Sequence, residues 1–122
     1  MKSIFVSHVF EDSYVVKSMK KWNMPGYTFT FEVEDKRYQG TNAIKDTIKK
    51  KIEGAAIVLV LIGNDTHNHD WIKLEVEYAH SFHKKICCIR VPGTRGKKPA
   101  ILNNYKELPF SSNQLLRELN QY

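Results

Sequence analysis

Residues 55–62 form an uninterrupted apolar run, Ala-Ala-Ile-Val-Leu-Val-Leu-Ile, which constrains the fold more than any other feature of the chain. A strand with apolar side chains on both faces is typical of the centre of a parallel sheet that helices cover on both sides. The run is much shorter than the ~20 residues that a membrane-spanning helix needs, so we expect no membrane contact.

Segments of β type alternate with helical patterns on both sides of this run. The predicted strands are residues 3–7, 27–31, 55–62 and 86–91, and the predicted helices lie within 11–22, 41–53, 70–83 and 113–121. Such alternation predicts βαβ units around a parallel sheet. We therefore predict an α/β fold, with residues 1–122 forming a single flavodoxin-like domain that has helices on both faces. Asp70 is the expected cap of the third helix, and residues 92–109 the expected irregular segment.

The charge and the cysteine content limit the kinds of partner and the cellular location that we expect. The 122 residues include 19 basic and 13 acidic side chains, a net charge of +6. Because the lysines are distributed along the chain, we expect solvated faces and an attraction for small anions rather than a nucleic-acid partner. Cys87 and Cys88 are adjacent and provide neither a disulfide framework nor a spaced metal motif. No signal peptide is evident, so the expected location is cytoplasmic.

Ligands of open parallel sheets bind beyond the carboxyl ends of the strands, which here are followed by residues 7–12, 32–40, 63–70 and the segment after 91. None of these segments carries the glycine-rich dinucleotide motif, the Walker motif or the Gly-x-Ser-x-Gly elbow. Their absence argues against an ordinary dehydrogenase, a nucleotide triphosphatase and an α/β-hydrolase. Asp12 stands without a paired aspartate, which argues against a response regulator.

The third predicted helix directs one carboxylate inward. At about 100° per residue, its apolar side chains fall on one arc and its polar ones on the opposite side. The apolar arc contains Trp71, Ile72, Val76, Ala79 and Phe82, and the polar side contains Asp70, Lys73, Glu77 and Ser81. Glu75 lies in the middle of the apolar arc. A carboxylate there loses hydration unless it is paired. Glu75 is therefore an active-site group, or it tilts to the rim of the interface or pairs with a basic residue.

Three segments together resemble a known family. They are residues 4–8 (Ile-Phe-Val-Ser-His) with Asp12, residues 61–66 (Leu-Ile-Gly-x-x-Thr) and residues 71–75 (Trp-Ile-Lys-Leu-Glu). Over residues 2–91 the chain is similar to the TIR domain, and more narrowly to the bacterial TIR-like group of Thoeris antiphage defence. The resemblance implies cleavage of NAD between nicotinamide and ribose, with NAD as substrate and no other cofactor. It also implies that Glu75, the last residue of Trp-x-x-x-Glu, is the catalytic glutamate.

Other residues of the strand-end loops are candidates for substrate contact. The set comprises Ser7, His8, Phe10, Arg37, Asn64, Thr66 and Trp71. Phe10 either stacks on a flat ring or packs against the protein, with packing slightly favoured, and His8 either lines the cleft or caps the local backbone. Trp71 is expected to support Glu75 from the core. His67 and His69 have no third ligand in view, so we predict no metal site.

One loop departs from the family. Many TIR domains carry an Arg-Asp-x-x-Pro-Gly type loop after the second strand, where this chain has Glu-Asp-Lys-Arg-Tyr-Gln-Gly at residues 34–40. Self-assembly through that loop is therefore not expected, and the oligomeric state stays open. Because no effector region is recognisable, we expect the product to act on a separate protein.

Three functional hypotheses follow. The leading one is an NAD glycohydrolase or ADP-ribosyl cyclase-like enzyme that makes a cyclic ADP-ribose-type signal for a separate effector in antiphage defence. The second is a non-catalytic TIR-like interaction module whose basic surface docks an acidic partner. The third is a glycosyl transferase of related architecture that processes nucleosides.

Overall fold

The computed structural model describes residues 1–31 and 42–121, without the side chains of residues 42–44. Its strands are β1 (Lys2–Ser7), β2 (Tyr27–Phe31), β3 (Ile57–Ile62), β4 (Lys85–Arg90) and β5 (Glu107–Leu108). Its α-helices are α1 (Val16–Met19), α2 (Asn42–Glu53), α3 (Asp70–Ser81) and α4 (Ser112–Leu119). Within the described residues, 3₁₀ helices span Phe10–Val15, Thr66–Asn68 and Ala100–Leu102. None of the described helices has the length and apolar character that crossing a membrane requires.

The five strands form one parallel sheet in the order β2-β1-β3-β4-β5. The apolar run supplies the central strand, β3, and all six of its residues are buried. This is the flavodoxin-like strand order, so the predicted α/β class is confirmed. Because every pair is parallel, all strands end at the same edge of the sheet, which we call the carboxyl edge.

Alternate residues of the strands build a hydrophobic layer on each face of the sheet. Leu59 and Leu61 belong to the first layer, together with Leu115 and Leu119 of α4. The second layer combines intervening strand residues with helices α2 and α3, and includes Phe5, Ile48, Ile52, Val58, Val60, Ile72 and Val76. Each fully buried side chain of this size stabilises the fold by about 1.5–3 kcal/mol. The layers fix α3 against the sheet through its apolar arc.

The first helical segment differs from the prediction of one helix within residues 11–22. The chain forms a 3₁₀ helix over Phe10–Val15 and only then one α-helical turn over Val16–Met19. The hydroxyl of Ser13 donates to the carbonyl of Phe10 at 2.7 Å, a local bond that competes with regular α-helical geometry. The apolar side chains Val15 and Met19 are nevertheless buried, as their spacing indicates.

Two further predictions need correction. Asp70 is not the cap of α3: His69 holds that position, and Asp70 is the first helical residue, where its charge suits the helix dipole. The segment 92–109 is not wholly irregular, because it contains β5. A strand of two residues is too short to show an alternating hydrophobic pattern in the sequence. Arg90 of β4 holds it in place by donating to both carboxylate oxygens of Glu107, at 3.1 and 2.6 Å.

Candidate functional site

The carboxyl edge brings three separate parts of the chain together. Ser7 ends β1 and is in register with Val60 of β3. The loop after β3, residues 63–69, leads directly into α3, whose first turns therefore start at this edge. Ligands of open parallel sheets bind at such an edge. The predicted site residues in these segments therefore lie where a ligand is expected to bind.

A buried hydrogen bond joins Ser7 to Glu75. The hydroxyl of Ser7 donates to Oε1 of Glu75 at 2.8 Å, and both residues are 0% exposed. The bond links β1 to α3 across 68 positions of sequence. Glu77, two residues further along α3, is exposed. The predicted inward direction of Glu75 and outward direction of Glu77 are therefore confirmed, and Ser7 is identified as a partner that orients the carboxylate.

The residues that follow Ser7 divide between interior and surface. His8 is buried. Phe10 is 60% exposed, and so is Tyr14 four residues later. The slight preference for Phe10 as a packing residue is therefore wrong, because the 3₁₀ helix turns its ring outward. The face of this ring is accessible to a flat ligand group.

The loop after β3 is held by its own side chains. Thr66 is buried, accepts a hydrogen bond from the amide of Gly63 at 2.8 Å and donates to the carbonyl of Leu61 at 3.2 Å. Asn64 is exposed, and its Oδ1 accepts from the backbone amide of Arg95 at 2.8 Å. Thr66 thus secures the loop against the end of β3, while Asn64 connects it to the segment after β4. Their predicted contacts with substrate stay predictions.

Trp71 and Arg37 complete the predicted set. Trp71 is partly buried and packs against the hydrophobic layer that α3 covers, which agrees with a supporting role. It also borders an open groove of about 410 Å³ between α2 and α3, lined by Lys45, Asp70, Trp71, Lys73, Leu74 and Glu77. Glu75 does not line this groove, so the groove gives no access to the Glu75 carboxylate. Arg37 lies outside the described residues.

Asp12 is a buried acid at the same edge that the sequence did not single out as a site residue. It is 4% exposed, and its carboxylate packs so closely on Gly63 that a Cβ at that position would overlap it. Burial raises the pKa of Asp12, the charge of Glu11 raises it further, and His69 lowers it. Among the described residues its Oδ2 has no hydrogen-bond partner. In the sequence, the only indication of this location is that Asp12 follows His8 by four residues, close to the end of β1.

The loop acid Asp65 has the opposite electrostatic environment. Asn68 donates to its Oδ1 at 2.6 Å, and His69 lies 3.2 Å from its Oδ2. The Asn68 hydrogen bond, followed by the contact with His69, holds the pKa of Asp65 below its ordinary value. One carboxylate at this edge is therefore stabilised as an anion, while the neighbouring Asp12 is desolvated.

Comparison with known proteins agrees with this architecture. The family model described as "Thoeris protein ThsB, TIR-like domain" matches residues 5–96. The crystal structure of the TIR domain of the Toll-related receptor TRR-2 from Hydra magnipapillata is similar, with a TM-score of 0.68 and 17% sequence identity. That likeness covers 97% of this chain and 94% of the other, and it shows the fold alone. No curated protein matches. Because the family model spans most of the chain, the protein belongs to the TIR-like domain family of the Thoeris protein ThsB.

Proposed function

We propose that this TIR-like domain cleaves NAD between nicotinamide and ribose and converts the remainder into a cyclic ADP-ribose-type signal. The signal would activate a separate effector protein in antiphage defence. The observation that carries the proposal is the Ser7–Glu75 pair: a carboxylate oriented by a 2.8 Å hydrogen bond beside the carboxyl edge. Membership of the TIR-like domain family of ThsB supports the proposal, because the resemblance to that family implies NAD cleavage and a role in antiphage defence.

The chemistry suits a single carboxylate. The bond between ribose C1′ and the nicotinamide nitrogen breaks, and its electron pair leaves with the ring as neutral nicotinamide. The ribose is left with oxocarbenium character, which a nearby carboxylate stabilises electrostatically. A nitrogen of the adenine in the same molecule then attacks C1′ to form the cyclic product, with loss of a proton where that nitrogen carries one. Alternatively, water attacks C1′ and releases a proton to the solvent, which yields ADP-ribose. Neutral nicotinamide is a good leaving group, so no strong general acid is required.

Two further features support a dinucleotide substrate. Phe10 presents an exposed ring face near the end of β1, where a nicotinamide or adenine ring can stack. The net charge of +6 favours the approach of an anionic pyrophosphate. The ring of Phe10 suits any flat base, and the net charge favours an anionic ligand over a neutral nucleoside.

The burial of Glu75 predicts how the activity is controlled. Glu75 has no exposed surface, so ribose reaches the carboxylate only after the surrounding structure rearranges. We therefore expect slow NAD turnover in the resting protein and fast turnover after a signal of infection. This makes cells challenged with phage the appropriate setting for the test.

The test is mass-spectrometric analysis of nucleotides in phage-challenged cells that express the wild type, Glu75→Gln or Glu77→Gln. Glutamine at position 75 keeps the shape and the hydrogen bond from Ser7 but removes the charge. We expect Glu75→Gln to lower nicotinamide release and formation of the cyclic product by about 100-fold or more. Glu77→Gln, an exposed acid on the same helix, should match the wild type.

Intact NAD in challenged wild-type cells, or equal product in the Glu75→Gln cells, would contradict the proposal. The second hypothesis, a non-catalytic interaction module, has its own support in the exposed lysines of α2, among them Lys49 and Lys50. It predicts that replacing these lysines by glutamate abolishes protection while Glu75→Gln retains it. Cells that express the lysine variants, compared with the Glu75→Gln cells for protection against phage, therefore distinguish the two functions.

A further inference from the structure

Residues 92–98 form a basic loop after β4, with the sequence Pro-Gly-Thr-Arg-Gly-Lys-Lys. The backbone amide of Arg95 donates to Oδ1 of Asn64 at 2.8 Å. Gly96 packs so closely on the carbonyl oxygens of Gly63 and Asn64 that a Cβ at position 96 would overlap them. The basic loop is therefore fixed against the loop after β3, at the carboxyl edge.

The basic loop lies one strand away from the crevice of the sheet. In the order β2-β1-β3-β4-β5 the direction of the connections reverses between β1 and β3, and ligands of flavodoxin-like sheets bind at that point. β4 is the other neighbour of β3. Because neighbouring strands are about 4.8 Å apart, the ends of β1 and β4 are separated by about 10 Å. A dinucleotide whose ribose lies in the crevice is long enough to reach the basic loop.

The loops at this edge differ in the sign of their charge. The segments after β1 and β3 contribute the exposed carboxylates of Glu11 and Asp65. Among the strand-end loops that the structure describes, lysine and arginine occur only after β4, as Arg95, Lys97 and Lys98. An anion bound at the carboxyl edge is therefore repelled by the first two loops and attracted by the basic loop.

The three cations of the basic loop are not equally available to a ligand. Lys98 is half-buried and donates to the carbonyl of Tyr105 at 2.5 Å. Arg95 and Lys97 are exposed, and neither forms an ion pair within the described part of the chain. Since its backbone amide is bonded to Asn64, Arg95 has a fixed main chain and a free guanidinium. A guanidinium binds two phosphate oxygens through parallel hydrogen bonds, whereas an ammonium acts as a point charge.

We propose that Arg95, with Lys97 beside it, binds the pyrophosphate of the dinucleotide substrate. This assignment rests on the proposed cleavage of NAD, because it concerns another part of the same substrate. Arg95 is exposed whereas Glu75 is buried, so the pyrophosphate binds before the ribose reaches the carboxylate. The resting protein should therefore hold the dinucleotide without cleaving it.

The test is isothermal titration of the purified full-length protein with ADP-ribose, which carries the pyrophosphate but lacks the bond that is cleaved. We expect Arg95→Ala to weaken binding by about tenfold and Arg95→Glu to weaken it further, whereas Arg95→Lys should lose less than Arg95→Ala. Arg117→Ala is the matched control, because it removes the same charge from an exposed position in the last turn of α4. It should bind as the wild type does, and circular dichroism verifies that each variant is folded.

A neutral probe separates the phosphate contact from binding of the base. Adenosine has no phosphate, so its affinity should be the same for the wild type and for Arg95→Ala. Absence of ADP-ribose binding, equal affinity of the wild type and Arg95→Ala, or equal losses in Arg95→Ala and Arg117→Ala would overturn the assignment. The last outcome would mean that only the net charge attracts the ligand.

The assignment and the proposed enzymatic function can fail separately. If ADP-ribose binding depends on Arg95 while NAD stays intact in phage-challenged cells, the anion site stands and the cleavage reaction is refuted. If NAD is cleaved and Arg95→Ala changes neither the KM for NAD nor the affinity for ADP-ribose, cleavage stands and the assignment of Arg95 is refuted.

Discussion

The two faces of α3 place the same chemical group in opposite environments. Glu75 is 0% exposed and accepts a hydrogen bond from Ser7, whereas Glu77, two residues later, is in water. The 200° of rotation between them is set by the helix alone. Angular position on the helix therefore decides whether a carboxylate of α3 is exposed to solvent or buried. Angular position does not determine which residue forms a hydrogen bond with the buried carboxylate.

The largest effect should come from the apolar side chains that hold the inward face against the sheet. Ile72 is 1% exposed, so Ile72→Ala removes buried methyl groups and leaves a cavity. We expect the free energy of unfolding to fall by about 2–5 kcal/mol, measured by urea denaturation. Lys73→Ala, on the exposed face, should change it by less than about 0.5 kcal/mol. Equal losses in the two variants would mean that α3 does not pack as described.

The thiols of β4 extend the comparison to an element that is buried on both faces. Burial raises the pKa of Cys87 from 9.0 to about 11 and that of Cys88 to about 12. A raised folded-state pKa means that the stabilisation is complete below pH 9 and is lost as the pH rises through the folded values. Between pH 9 and 11 we expect the free energy of unfolding to fall by about 1.4 kcal/mol per pH unit for each thiol. Urea denaturation at a series of pH values measures this fall.

In Cys88→Ala the free energy of unfolding should fall less steeply with pH than in the wild type. The difference in slope should equal the contribution of one thiol. The comparison between variants is needed because tyrosines and lysines titrate in the same range. Alkylation gives a direct check. Iodoacetamide at pH 8 should modify the folded protein far more slowly than the urea-unfolded chain, followed by mass spectrometry. Equal alkylation rates would show that β4 is accessible.

A smaller effect should follow from removing the partner of the inward carboxylate. Ser7→Ala leaves Glu75 buried without the 2.8 Å hydrogen bond. Hydrogen bonds contribute about 0.5–1.5 kcal/mol between neutral groups and about 1.5–3 kcal/mol when one group is charged, so the free energy of unfolding should fall by about 0.5–3 kcal/mol. Ser81→Ala is the matched control, because Ser81 is exposed and donates only to the local carbonyl of Tyr78. If Ser7→Ala were as mild as Ser81→Ala, the pair would not orient Glu75.

Much of the fold was predictable because its signals are local. The apolar run of β3, the aromatic alternation of β2 and the amphipathic pattern of α3 each extend over enough residues to show a period. Two elements that the sequence did not predict correctly lack that property. β5 has two residues, and the segment over Phe10–Val15 keeps helical spacing of its apolar residues while a serine side chain tightens it into a 3₁₀ helix.

The site was predictable in part for the same reason. The inward direction of Glu75 follows from helical geometry and is confirmed, and the carboxyl-edge location follows from the parallel sheet. The outward turn of Phe10 and the burial of Asp12 depend on a 3₁₀ helix that the pattern did not indicate. The contact of His69 with Asp65 is local, at four residues' separation, whereas its contact with Glu11 forms only in the folded chain.

By itself, the amino-acid sequence determined the class of the sheet, the burial of its central strand and the face of α3 on which Glu75 lies. These properties depend on the alternation and rotation of neighbouring residues, which the chain carries locally. Three contacts, by contrast, form only in the folded chain: Ser7 with Glu75, Asp12 with Gly63, and Glu11 with His69. Those contacts join residues some 50 to 70 positions apart, so they exist only once parallel pairing has brought the strand ends to one edge.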